Sequence, residues 1–123
     1  MPRLCHQYYC HKAADVAAKS TMQHRHGCII VYNDKEIVAK GYNHTRCTLE
    51  QEFSVHAEVE AINKLRQVVR SKSKEFIHKC TLYVVRIGTD NMGNPLKMSE
   101  PCSRCSAIIR SMGIPKVVYS TCA

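Results

Sequence analysis

Tryptophan is absent from this chain and phenylalanine occurs only twice. The six tyrosines fall mostly at helix or strand positions, so no row of rings stands out as a stacking platform for unpaired bases. Long apolar runs are missing too. The longest, Cys28-Ile29-Ile30-Val31-Tyr32, is far short of the ~20 residues that a membrane-spanning helix requires. The start, Met1-Pro2-Arg3-Leu4-Cys5-His6, lacks the apolar segment of a secretory leader. Acidic residues are scarce: 10 Asp and Glu stand against 18 Lys and Arg, a formal charge of +8. Such a balance favours anionic partners, nucleotide phosphates or a polynucleotide backbone, and equally describes a solvated basic surface. Repeats, low-complexity tracts and linkers are absent, so a single domain over residues 1–123 is expected.

Cysteine, by contrast, is plentiful, with eight residues. Without a leader they read as thiols of a reducing, cytoplasmic environment rather than a disulfide framework. Two of them stand in Pro101-Cys102-Ser103-Arg104-Cys105, and a second cluster is His56-Ala57-Glu58. One imidazole and two thiolates supply three protein ligands to zinc and leave a fourth position for water. A carboxylate two residues from the histidine can then move protons. Each cluster alone is weaker evidence. Cys102 and Cys105 also fit a redox pair or half of a structural zinc site, and His56 with Glu58 also fits a solvated helix start.

Periodicity places both clusters at helix N-termini. Apolar spacing predicts a first helix from Leu4 to about Ser20, a break over residues 23–27, and a hairpin of strands at Cys28–Tyr32 and Ile37–Asn43. A loop is expected over His44–Val55. A second helix opens at His56, with Ala61, Ile62, Leu65, Val68 and Val69 as its stripe. A strand at Thr81–Ile87, a long turn over Gly88–Lys97, a third helix striped by Cys105, Ile108, Ile109 and Met112, and a strand at Lys116–Ser120 complete the order. Strands joined through helices imply βαβ units, hence an α/β sheet layered with helices. Cys102 and Cys105, three apart, share one face of their first turn. Two helix N-termini aimed at one point favour thiolate over thiol.

The combined H-x-E…P-C-x-x-C pattern resembles the zinc-dependent cytidine/deoxycytidylate deaminase superfamily. Gly41-Tyr42-Asn43 resembles the segment that closes the second strand in deoxycytidylate and tRNA-type deaminases. The resemblance implies a three-layer α/β/α fold with a central mixed sheet, here ending after the fourth strand where relatives continue. It implies Zn²⁺ on His56, Cys102 and Cys105, with Glu58 as the proton shuttle. Asn43 is then a contact to sugar or base, and the Ala57 amide a donor to substrate. Arg46, His24 and His26 become candidates at the pocket mouth for a phosphate, and Arg104 a weaker one. Asn43, Arg46, His24, His26 and Arg104 each also have an ordinary explanation as a turn or surface residue.

Three functions follow as expectations. The first is hydrolytic deamination of a cytosine nucleotide of dCMP or CMP type, giving the uracil nucleotide and ammonia. The second is deamination of a base within RNA or single-stranded DNA. The third is a zinc-binding scaffold without catalysis, which leaves an intact Glu58 without a purpose. A homo-oligomer covering the open sheet edge is expected, with no membrane partner. A second zinc site among Cys5, His6, Cys10 and His11 is possible in composition but poorly spaced for one helix face.

Overall fold

Three strands of buried, β-branched sequence organise the molecule. The computed structural model describes residues 2–21, 25–47, 52–69, 74–88, 96–97 and 99–120. Its elements run α1 (Pro2–Ala17), β1 (Arg25–Tyr32), β2 (Glu36–Tyr42), β3 (His44–Cys47), β4 (Glu52–Val55), α2 (Ala57–Val68), α3 (Lys74–His78), β5 (Cys80–Ile87), β6 (Leu96–Lys97), α4 (Ser103–Met112) and β7 (Lys116–Tyr119). Strand β1 pairs antiparallel with β2 on one edge and with β5 along its whole length on the other. The far edge of β5 is shared: β7 runs parallel to Thr81–Val84, and β6 antiparallel to Arg86–Ile87. The sheet is therefore mixed, and β5-α4-β7 is its parallel crossover unit.

Strand alternation divides the sheet into two faces. Ile29, Val31, Tyr83 and Val85 meet Tyr9, Ala13 and Val16 of α1. Cys28, Ile30, Leu82 and Val84 meet Ala57, Ala61, Ile62 and Leu65 of α2 and Ile109 of α4. Full burial of a Leu, Ile or Val side chain contributes ~1.5–3 kcal/mol, so both faces hold the sheet between helix layers, as a three-layer fold requires. Among the described residues no helix is long and apolar enough to cross a membrane.

The structure corrects several sequence expectations. Residues 44–55 are not a loop throughout: β3 and β4 form a second, two-stranded sheet, His44 opposite Val55 and Cys47 opposite Glu52. Strands this short and polar carry no alternation to read. Strand β1 starts at Arg25, because Gly27 is a strand residue rather than a breaker. A Cβ there would lie 2.1 Å from the Ala13 carbonyl oxygen, so glycine is what lets α1 lie against the sheet. Val68 is exposed rather than part of the α2 stripe. Helix α3 was not expected; its Phe76 stacks on Tyr32 with centroids 4.2 Å apart. Part of the expected long turn, Leu96–Lys97, pairs with β5, while residues 89–95 lie outside the described residues.

Candidate metal centre and substrate pocket

Both candidate motifs stand at helix starts. His56 is the N-cap of α2 (φ −74°, ψ 149°) and Cys102 the N-cap of α4 (φ −66°, ψ 167°). The extended conformation at Cys102 follows a proline, whose fixed φ suits helix entry. Neither side chain caps its own helix, so imidazole and thiol are left to project elsewhere. The helices start instead through backbone bonds, Glu60 N to the His56 carbonyl and Ser106 N to the Cys102 carbonyl. Cys105, in the first turn of α4, is buried.

These placements bring three donor atoms together. His56 Nδ1 lies 3.2 Å from Cys105 Sγ and 3.9 Å from Cys102 Sγ, and all three ligand atoms fall within 4.8 Å of one another. A tetrahedral zinc with Zn–S of about 2.3 Å and Zn–N of about 2.0–2.1 Å sets N and S roughly 3.6 Å apart. The two observed N···S separations bracket that value, so the donor set fits zinc in geometry as well as in chemistry. His56 and Cys102 are exposed and Cys105 is not, which closes the group beneath and leaves it open above.

The approach of α2 depends on Gly41 of β2. A Cβ there would sit 2.6 Å from both the Ala57 carbonyl oxygen and the Ala61 nitrogen. Without a side chain at 41, the first turn of α2 packs directly on the strand. That contact buries Ala57 completely and Glu58 to 5% exposure. Burial pushes the Glu58 carboxyl above its ordinary range, opposed by a backbone hydrogen bond and by His56 and Cys105. Burial, then Glu58 and Cys102, push the Cys105 thiol well up as well. Cys28, fully buried, is raised by desolvation, Glu58 and Cys105. A dication among these groups favours the charged forms that burial alone disfavours.

A cavity of about 240 Å³ adjoins the cluster, lined by His56, Glu58 and Cys102 together with His26 and Asn43. The two latter residues are locked together. Asn43 N donates to the His26 carbonyl at 3.3 Å, and His26 N donates to Asn43 Oδ1 at 2.8 Å. Because an N–H needs an acceptor, this bond fixes the carboxamide orientation and turns Nδ2 away from the His26 backbone. Glu60 secures the chain on both sides of Asn43. Its Oε2 accepts from Tyr42 N at 3.1 Å and lies 3.2 Å from His44 Nδ1, while Lys64 Nζ lies 3.3 Å from Oε1. Ser99 lines the cavity just before the cysteine motif. Its hydroxyl donates to the Val84 carbonyl at 2.8 Å and stands 2.8 Å from Ser120 Oγ, tying the motif's entry to the ends of β5 and β7.

Seven of the ten candidate residues thus surround one cavity: His26, Asn43, His56, Ala57, Glu58 and Cys102 line it and Cys105 adjoins it. Of the other three, Arg46 stands opposite Phe53 in β3 rather than in a loop, and its side chain lies outside the described residues. His24 lies outside them altogether. Arg104 is exposed on α4 and does not line the cavity. Of the proposed second zinc group, His6 Nδ1 engages Tyr83 Oη at 2.7 Å and His11 is exposed. Among the described residues only His56, Cys102 and Cys105 assemble as three potential ligands. Sequence reading missed Ser99 and Glu100, although both adjoin Pro101, and it missed Glu60, whose partners are set by the fold.

Comparison with known proteins agrees with this geometry. The sequence pattern of the cytidine and deoxycytidylate deaminase zinc-binding region matches residues 3–121. The chain is 32% identical over 93 residues to tRNA-specific adenosine deaminase 2 of Danio rerio, covering 76% of this chain and 37% of that protein. It is 26% identical over 102 residues to a probable cytosine deaminase of Schizosaccharomyces pombe, covering 83% and 50%. It therefore spans half or less of the length of these curated relatives. Among solved structures, the apo dCMP deaminase of cyanophage S-TIM5 aligns with a TM-score of 0.66 at 26% identity, over 98% of this chain and 85% of that one. The same enzyme in complex with dCMP and dUMP gives 0.61 at 25% identity, over 92% and 78%.

Proposed function

This chain belongs to the cytidine and deoxycytidylate deaminase family, and from that premise we propose that it hydrolyses the exocyclic amine of a cytosine nucleotide of dCMP or CMP type. Supporting this most directly is the convergence of His56, Cys102 and Cys105 within 4.8 Å, beside a buried Glu58 and under an open cavity. In this reading the three residues hold Zn²⁺. Bound zinc supplies Lewis acidity, lowering the pKa of water at the site.

The chain's own groups do the rest. The Glu58 carboxylate takes one proton from the attacking water and delivers it to ring N3, then takes the second from the hydroxyl now on C4 and delivers it to the departing amine. Water oxygen ends on C4 and nitrogen leaves as ammonia. A carboxyl raised by burial suits this task, since it holds a transferred proton at less cost than an exposed one. Ala57, first residue of α2, lines the cavity, and its amide, with no intrahelical acceptor, serves in this reading as a donor to the base. Asn43, its carboxamide fixed by His26 N–H, orients sugar or base.

The likeness to a tRNA-specific adenosine deaminase and the +8 charge favour a second reading, a base within RNA or single-stranded DNA. The small cavity and the likeness to an enzyme solved with dCMP and dUMP favour the free nucleotide. Ammonia release from a panel of nucleosides, nucleotides and short oligonucleotides, using zinc-loaded protein, decides between them. Turnover of dCMP or CMP above any oligonucleotide is expected; the reverse order replaces the first reading with the second. Self-association is part of the proposal, because β7 exposes Val117 and Tyr119. Light scattering is expected to show an oligomer, and a fully active monomer across dilution overturns this part.

A further inference from the structure

We infer that Arg86, beside His26, forms a phosphate subsite at the rim of the cavity, a deepening that rests on the cytosine-nucleotide reading. Strand register carries it. His26 of β1 stands directly opposite Arg86 of β5, and Arg86 directly opposite Lys97 of β6. On the other side of β1, Asn43 bonds to His26 through its backbone N–H and side-chain oxygen. Asn43, His26, Arg86 and Lys97 therefore make one row across the sheet at its cavity end.

Parity sets the face. Directly paired residues point to the same side of a sheet, and His26 lines the cavity. Arg86 also continues the alternation of Leu82 and Val84, which pack toward α2 and α4. Its neighbour in space, Arg25, has the opposite parity and donates Nη2 to the Gly88 carbonyl at 3.2 Å. Among the described residues the Arg86 side chain makes no such bond and is in no ion pair. Its backbone is held firmly, since Arg86 N donates to Ser120 Oγ at 3.2 Å in the network that includes Ser99. A half-buried guanidinium on a rigid strand is a bidentate partner for a phosphate.

Size places the phosphate there. The cavity, about 240 Å³, lies below the ~300–1,000 Å³ usual for small-molecule pockets, enough for a base and part of a sugar. With the base against Glu58, the 5′-phosphate is left at the rim. The rim also carries an exposed carboxylate, Glu100, so the phosphate is directed to the His26–Arg86 side.

The test compares wild type with Arg86→Gln and Arg86→Lys, each checked for zinc content and thermal melting. The kcat/KM ratio of dCMP over deoxycytidine is expected to fall about 10- to 150-fold in Arg86→Gln, the scale of a charge-assisted bond, and less in Arg86→Lys. Equal losses for both substrates, or none, overturn the subsite. Titrations of dUMP, deoxyuridine and inorganic phosphate by calorimetry make the test independent of turnover. Weaker dUMP and phosphate binding in Arg86→Gln, with deoxyuridine unaffected, supports the subsite even if no cytosine substrate is turned over, in which case only the reaction assignment fails. A loss confined to an oligonucleotide, with dCMP and dUMP unaffected, assigns Arg86 to a phosphodiester backbone and overturns the monophosphate subsite.

Discussion

The two faces of the sheet use the same three strands and reach opposite ends. On the α1 face, Gly27, Ile29, Val31, Tyr83 and Val85 sit under a helix, and none of them lines the cavity. Polar contacts there serve the fold, such as Tyr9 Oη donating to the Asp34 carbonyl at 3.1 Å. On the other face the middle is equally apolar, with Cys28, Ile30, Leu82 and Val84. At one end, however, the helices do not cover the strands. Their N-termini converge there, and the next residues of the same parity are His26 and Arg86. Chemistry begins where a covered face runs out, and a one-residue shift in register would exchange the two roles.

The largest expected effect falls on the group that handles protons. Glu58→Gln is expected to lower kcat by about 10²- to 10⁴-fold, the range of general acid–base catalysis, with zinc content and melting temperature nearly unchanged. Zinc lost in parallel with activity would make Glu58 a ligand and erase the division between holding the metal and moving protons.

The paired glycines separate the faces next. Gly27→Ala and Gly41→Ala both force a Cβ into helix backbone, and each is expected to destabilise by about 1–3 kcal/mol, the usual range for overpacking. Only Gly41→Ala moves the N-terminus of α2, so only it should also weaken zinc binding, measured by chelator competition. Equal zinc affinities in the two variants would show that the faces are mechanically coupled and the comparison too simple.

A smaller effect is expected from Glu60, which reaches the pocket only through its neighbours. Glu60→Ala releases Tyr42 N and His44 around Asn43, and should raise KM several-fold, about 1 kcal/mol for a bond of this kind, with kcat nearly kept. Glu60→Gln, which retains an acceptor, should recover most of it. A fall in kcat at constant KM would place Glu60 in the chemistry instead.

How much of this was legible beforehand depends on whether the signal was local. Histidine and glutamate two apart, cysteines three apart and the stripe Ala61, Ile62, Leu65 are readable within a turn or two of helix. So were the alternating β-branched strands, which give the layers. The β3–β4 hairpin was not, because four-residue polar strands have no period and depend on each other for pairing. Gly27 looked like a breaker since its reason, the close passage of α1, lies in another element. The row from Asn43 through His26 to Arg86 was invisible for the same reason: register joins residues from three strands, and nothing in the sequence around Arg86 announces His26 as its neighbour.

X-ray absorption at the zinc edge tests the metal centre most directly, because it counts ligands without needing a substrate. Protein reconstituted with zinc is expected to bind one ion per chain, with two sulfur scatterers at about 2.3 Å and two lighter atoms at about 2.0–2.1 Å; Cys102→Ala should remove one sulfur and most of the affinity. Four sulfurs, or no sulfur at all, would contradict a centre built from His56, Cys102 and Cys105.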